Sequence, residues 1–299
     1  MEARPLNISP SAVILPTGAR AARLTDGRLH LQHGPIDLLV EAFGASEAIE
    51  AAYAAAAARV ATILDELVSE LSLLRSPLGR PPPIPEGTVA RRMVAACVPH
   101  AGVFVTPMAT VAGAVADEVL GAMLAPGHGL ARAYVNNGGD IALYLAPGET
   151  LTAGLVADVE RPAIAATATI EAAMPVRGVA TSGRGGRSFS LGIADAVTVL
   201  ASDAAAADVA ATLIANRVDI DSPAVVRRPA RELRGDSDLG VLPVVVALGP
   251  LPLHDVATAL DAGLAEAERM RAAGLIAGAY LALRGQFRAT GLAAVLPHL

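Results

Sequence analysis

The chain has 299 residues, enough to bury a sizeable core as one large domain or two small ones. Hydrophobic residues make up 53% and charged residues 17%, which excludes disorder; with aromatics at 3% and no Trp, the apolar mass is Ala, Val and Leu. The formal charge is −6 and all 23 basic residues are Arg, so nucleic acid is disfavoured as a partner and any reaction needing a lysine amine is excluded.

From the N-terminus, Met1-Glu2-Ala3-Arg4-Pro5 is followed by no continuous apolar run, so no signal peptide is expected. Ile36 to Val40 reads as a strand. Ser46 then offers an N-cap, with Glu47 and Glu50 in the first turn where the helix dipole favours acids. An Ala-rich helix follows from about Glu47 to Leu74, with Ile63, Leu64, Leu67, Val68, Leu71 and Leu74 on its buried stripe. The prolines of Pro77 to Pro85 end it as a stiff connection inside one domain spanning 1–299.

The longest run free of Asp, Glu and Arg is Met93 to Ala116. Pro99, His100, Thr106, Pro107 and Thr110 interrupt it, so it reads as a buried strand and loop entering a helix, not a membrane span. Cys97, the single cysteine, allows no intramolecular disulfide and fits a reducing cytoplasm. Val103 to Val105 reads as a short strand. A helix from about Met108 to Met123 carries Val111, Val115 and Val119 on one stripe. Ala109, Ala112, Gly113 and Ala116 make a small face, which suits close packing or the approach of a ligand.

Further on, Ala131 to Val135 and Ile141 to Leu145 read as strands around Asn136-Asn137-Gly138-Gly139-Asp140. Leu151 to Val159 pairs back as a hairpin, and Ala165 to Ala173 alternates as another strand. Gly178 to Thr181 leads into Ser182-Gly183-Arg184-Gly185-Gly186-Arg187, and Ala196 to Ala201 is a buried strand. Ser202 or Asp203 caps a helix reaching about Asn216. Arg217 to Asp238 is charged and irregular, and Leu242 to Leu248 is a buried strand. Asp255 caps a last helix that stops at Gly274, and Leu275 to Leu283 is a final strand. Antiparallel hairpins with interspersed helices make the fold α+β.

Three segments carry candidate chemistry. The glycines of Asn136 to Asp140 let backbone N–H groups approach a ligand, and the amides can fix its polar edge; an ordinary turn is the commoner cause of such a sequence. Thr181 to Arg187 joins hydroxyls, glycines and the guanidiniums of Arg184 and Arg187, a combination suited to phosphate and also found in flexible hairpins. Asp208 and Thr212, four apart on a helix, present a carboxylate and a hydroxyl on one face, hard oxygen donors for Mg²⁺ or Ca²⁺. The histidines are scattered, and Ser182 lacks the setting of a nucleophile elbow, so neither zinc nor serine-hydrolase chemistry is indicated.

The order of these segments resembles the ApbE-like flavin transferases. The family's small-residue helix, written A-K-G-x-x-x-D, is similar to Val105 to Asp117, with Gly113 and Asp117 in place. Its N-x-G-G-D-I turn is similar to Asn136 to Ile141, and its A-T-S-G turn to Ala180 to Gly183. Its S-V-T-V strand and A-D-x-x-A-T helix are similar to Ala196 to Val199 and Ala207 to Thr212. The phrase from Gly178 to Val199 looks closest to an uncharacterised branch. The resemblance implies an ApbE-like fold of mixed, mostly antiparallel sheets with flanking helices. It implies a metal, suspected to be Mg²⁺, held by Asp208, Thr212 and the carbonyl of Ala109. It also implies FAD or FMN near Asn137 to Asp140 and Thr181 to Gly183. Ala112 replaces the family's lysine, and Arg184 to Ile193 contains no histidine, so no catalytic base is assigned. A small-molecule nucleotide partner is expected without nucleic acid or membrane, and the Ala-rich faces would allow a homodimer. The activity expected is metal-dependent chemistry on FAD or a related phosphorylated cofactor. The alternatives are a non-catalytic flavin or nucleotide carrier, and an enzyme with a different substrate on the same scaffold.

Overall fold

A computed structural model describes residues 13–15, 17–158, 164–291 and 296–297. The expectation at Met1 to Pro5 lies outside the described residues, as do Val159 and His298. Backbone contacts divide the chain into two compact units. One holds the chain through Leu151 with the segments Glu171–Gly178 and Asp203–Ala205; the other holds the remainder.

The first unit opens with β1 (Val13–Ile14), β2 (Arg20–Arg23), β3 (Leu29–His33) and β4 (Ile36–Gly44). Next come helices α1 (Ser46–Ser69), α2 (Leu71–Leu74), α3 (Thr88–Cys97) and α4 (Val111–Met123). β5 (Leu130–Asn137) and β6 (Asp140–Leu145) complete it. The six strands form a meander in chain order, antiparallel at every step. Alternation along β3 and β4 sends Leu29, Leu31, Ile36, Leu38 and Val40 to one face. There they join Ala56, Val60, Ile63 and Leu67 of α1 and Ala114, Val115 and Val119 of α4 in one core.

Several local expectations change. Ser46 is the first residue of α1, not its cap: Ala45 holds the extended cap conformation and no side chain bonds there, so Glu47 supplies the favourable first-turn charge. The long helix breaks at Glu70, whose carboxylate instead accepts the amides of Glu86 (2.8 Å) and Gly87 (2.7 Å) at the entry to α3. Met93 to Ala116 does not begin as a strand. Its first residues finish α3, and Val103 to Val105 has no strand pairing. The apolar run there comes from the buried helical face of Val89, Met93, Val94 and Cys97.

The second unit is built largely from β7 (Thr150–Val156), β8 (Ile164–Glu171), β9 (Gly178–Ser182), β10 (Ala196–Ala201) and α5 (Ala204–Arg217). It continues with β11 (Val225–Pro229), α6 (Ala230–Leu233), β12 (Pro243–Leu248), α7 (Leu253–Ala272), β13 (Gly278–Leu283), β14 (Gln286–Thr290) and β15 (Leu296–Pro297). The order β9-β10-β13-β14 forms its main sheet. β10 and β13 are buried along their whole length, which explains their continuous apolar sequence. β7 pairs with β8 in a separate sheet, not back on the strand before it. The supposedly irregular Arg217 to Asp238 contains β11 and α6. β12 is mostly exposed because its one partner is β11, in a two-stranded ribbon. Asp255 lies in the first turn of α7 and makes no cap bond. The fold is α+β, with mostly antiparallel sheets and flanking helices. Among the described residues, no helix is long and apolar enough to cross a membrane.

Candidate functional site

β5 and β6 meet through a two-residue turn. Asn137 pairs with Asp140 across it, and Gly138 and Gly139 occupy φ +67° and +114°. Two successive positive φ angles define the tight hairpin that matches strand twist, and only glycine enters both without strain. The carboxamide of Asn136 closes the turn by accepting the Gly139 amide at 2.8 Å. Asn137 points the other way: its Nδ2 donates to the Ala112 carbonyl of α4 at 3.1 Å, and the residue is 4% exposed. That bond fixes the amide orientation and leaves Oδ1 buried with no hydrogen-bond partner. A buried acceptor without a donor costs about 1–3 kcal/mol.

The small face of α4 has a definite use. A Cβ on Gly113 would lie 2.3 Å from the carbonyl oxygen of Ala204, and one on Gly178 would lie 2.0 Å from that of Asp203. Close packing therefore accounts for Gly113. Four residues on, the Asp117 carboxylate accepts the amides of Ala204 (3.0 Å) and Ala205 (2.9 Å), the first residues of α5. Two of the amides at this helix start are thus met from α4. Burial pushes the Asp117 carboxyl up to about 6, against the lowering effect of the two amides.

In the second unit, Thr181 and Thr198 share a hydroxyl–hydroxyl hydrogen bond of 2.9 Å. At Gly183 the chain presses on its neighbour so closely that a Cβ would sit 2.6 Å from the Asp195 carbonyl oxygen. Arg184 donates its backbone amide to Ala194 (2.9 Å) and turns its guanidinium onto Asp195, with Nε at 3.0 Å and Nη2 at 2.8 Å from Oδ1. Asp195 is 7% exposed, and its Oδ2 accepts the Arg284 amide at 2.6 Å. Arg284 is the one non-glycine residue at positive φ among those described (+50°), and its Nη2 reaches the carbonyls of Leu248 and Gly249. Ser182 is half-buried and Arg187 exposed.

Sequence reasoning missed this arrangement, in which Asp195 is a staple for three chain segments. The signal was an acid immediately before a fully buried strand. Asp208 and Thr212 sit one turn apart on α5, both half-buried. Ala109 lies in a short 3₁₀ turn, Pro107–Thr110, ahead of α4. Among the described residues, no three His, Cys, Asp or Glu side chains cluster to hold a metal. A carboxylate, a hydroxyl and a carbonyl are a different donor set, one that suits a hard cation.

One cavity of about 490 Å³ in the first unit is lined by Arg59, Glu66, Ser69, Glu70, Glu86, Gly87, Thr88 and Glu118, none of them a candidate site residue. Arg59 ties it together, donating to Glu66 (2.6 and 2.7 Å), Glu118 (3.0 Å) and Thr88 (2.9 Å). The groups are committed to one another, so they act as a pin between α1, α3 and α4.

Residues 21–289 match the family model described as AbpE bacteria. Among curated proteins, a UPF0280 protein of Methanosphaerula palustris is 41% identical over 133 residues, 44% of this chain and 53% of that one. UPF0280 proteins of Methanothrix thermoacetophila and Methanoculleus marisnigri are 37% and 39% identical, over 49% and 50% of this chain and 56% and 60% of theirs. The chain thus spans about half the length of the curated relatives it matches. Among solved structures, the apo flavinyl transferase ApbE of Pseudomonas stutzeri aligns over 94% of both chains with 14% identity and a TM-score of 0.42.

Proposed function

This chain belongs to the AbpE bacteria family, and we propose that it is an ApbE-like, metal-dependent enzyme acting on FAD or a related phosphorylated cofactor. The observation that carries this reading is the buried Oδ1 of Asn137, which lacks a donor beside the Gly138-Gly139 turn. Flavin and adenine rings both offer N–H donors, and a small shift of the turn would let one complete that acceptor. Asn136 to Asp140, Thr181 to Gly183, Arg184 and Arg187 are the cofactor-binding residues in this reading. Asp208 and Thr212, one turn apart on α5, would offer their oxygens to Mg²⁺, which would supply charge neutralisation at a diphosphate. Arg184 and Arg187 would face the phosphates.

The test is a thermal-shift series with FAD, FMN, riboflavin and ATP, each with and without Mg²⁺. A ligand present at a hundred times its Kd adds about 2.7 kcal/mol of stability. A Mg²⁺-dependent shift with FAD that Asp208→Ala abolishes is expected. No shift with any flavin would refute the reading.

A second reading, a cofactor carrier without chemistry, is favoured by one observation. Asp195, the carboxylate closest in sequence to the Thr181–Arg187 segment, has both oxygens engaged, so it is not free to serve as a base. Together with the absence of histidine from Arg184 to Ile193, this leaves attack on a diphosphate without a group worth ~10²–10⁴ in rate. FAD bound stoichiometrically, with no FMN released on long incubation with Mg²⁺, would select this reading over the first.

A further inference from the structure

We propose that Asp195 is a positioning residue for an oxyanion subsite on Arg184, and that the subsite takes a phosphate or diphosphate group. The inference deepens the proposed function and rests on its assignment of Arg184 to phosphate. A guanidinium has two forked faces. The side face presents Nε–H and one Nη2–H, and the end face presents Nη1–H and the other Nη2–H. Asp195 occupies the side face, because Nε and Nη2 both reach its Oδ1 at 3.0 and 2.8 Å. Nη1 makes no hydrogen bond to any described residue. The end face therefore remains as a pair of parallel donors, the geometry that matches two oxygens of a phosphate.

The clamp is also rigid. Asp195 is 7% exposed. Its second oxygen is held by the Arg284 amide at 2.6 Å, and its own amide donates to Ala282 at 3.0 Å. Arg284 is anchored in turn by the carbonyls of Leu248 and Gly249 at 2.7 and 3.1 Å. Arg184 cannot rotate about its stem without breaking two charge-assisted bonds, so its end face is fixed before any ligand arrives. Such preorganisation lowers the ordering cost of binding. The Arg184 side chain keeps 21% of its surface exposed, and Gly185 and Gly186 follow with no side chains to cover it. Nothing in this arrangement makes Asp195 a reacting group. Its effect passes through the direction in which Arg184 faces.

The experiment measures the affinities of the full chain for FAD, riboflavin and inorganic pyrophosphate by calorimetry, with Mg²⁺ present throughout, for wild type, Arg184→Gln and Asp195→Asn. Riboflavin lacks phosphate, so the ratio of FAD to riboflavin affinity isolates the subsite, and a loss of folding would weaken both ligands together. Arg184→Gln is expected to weaken FAD and pyrophosphate at least tenfold while leaving riboflavin unchanged. Asp195→Asn is expected to weaken them in the same direction and by less, because Arg184 stays but loses the charge-assisted part of its hold. Should Asp195→Asn fail to fold, the partly exposed Arg184→Gln still decides whether the subsite exists. Variants that keep the wild-type FAD-to-riboflavin ratio overturn the proposal while leaving flavin binding intact. Wild type that binds pyrophosphate through Arg184 but no flavin supports the subsite and overturns the flavin reading. Wild type that binds none of the three overturns both.

Discussion

Asp117→Asn tests whether burial has moved a carboxyl into the neutral range. In the folded chain the Asp117 carboxyl is pushed up to about 6 from an ordinary 3.8. A raised acid pKa means that the folded state binds more protons than the unfolded state between those values, so stability falls as pH rises through that window and levels off above it. The full difference of about 2 units corresponds to roughly 3 kcal/mol, of which ~2 kcal/mol falls between about pH 4.5 and 7.5. Asparagine removes the titration. It keeps one carbonyl oxygen for the amides of Ala204 and Ala205, leaving the other N–H unpaired at a cost of ~1–3 kcal/mol at every pH. The variant should therefore be less stable than wild type at about pH 4.5, and the gap should narrow by ~2 kcal/mol by about pH 7.5. Urea denaturation at the two pH values reads this directly. Using the difference between the two proteins cancels every other titrating group they share. Parallel pH profiles would refute the reasoning, because they would mean that Asp117 titrates at the same pH in both states.

Two further substitutions probe the first unit. Gly113→Ala places a methyl 2.3 Å from the Ala204 oxygen. The gain in helix propensity of ~1 kcal/mol should be outweighed by overpacking of ~1–3 kcal/mol, giving a lower denaturation midpoint; an unchanged or higher midpoint would show that α4 and the Asp203–Ala205 segment are free to separate. Arg59→Met removes the shared partner of Glu66 and Glu118, and the Glu118 side chain is only 17% exposed. A loss of ~1–3 kcal/mol is expected, because Glu66 loses its guanidinium and Glu118 keeps only Thr88 and the more distant Arg92, and a change within ~0.5 kcal/mol would count against the pin.

How much of this was legible depended on whether the determinant was local. β10 was read at its true bounds, Ala196 to Ala201, because six consecutive buried residues leave an unbroken apolar run between polar neighbours. The Asn137–Asp140 turn was legible because two glycines at positive φ are a requirement of the backbone itself. α3 was missed because Arg91 and Arg92 interrupt a short helix whose remaining apolar residues run on into Val98, so the run read as a strand. β12 looked buried because Val244 to Val246 is apolar, and hydropathy does not report how many strands cover a ribbon. At the candidate site, residue types and order were readable while partners were not. The cap on Ala204 comes from a residue 87 positions earlier, and Asp195 meets the amide of one 89 positions later. No periodicity encodes such a pairing.

The turn at Arg284 has a consequence for how the sequence can drift. Judged by its backbone alone, a left-handed position favours glycine or asparagine over arginine by ~1–2 kcal/mol. Random substitution would therefore tend to improve this turn locally while dissolving the side-chain bonds to the carbonyls of Leu248 and Gly249; the backbone amide that reaches Asp195 survives any change except to proline. Arginine should persist here only in lineages whose Leu248–Gly249 corner still presents its carbonyls to this turn. Where that corner has been remodelled, the left-handed position should revert to glycine, with the hold on Asp195 kept by the backbone amide.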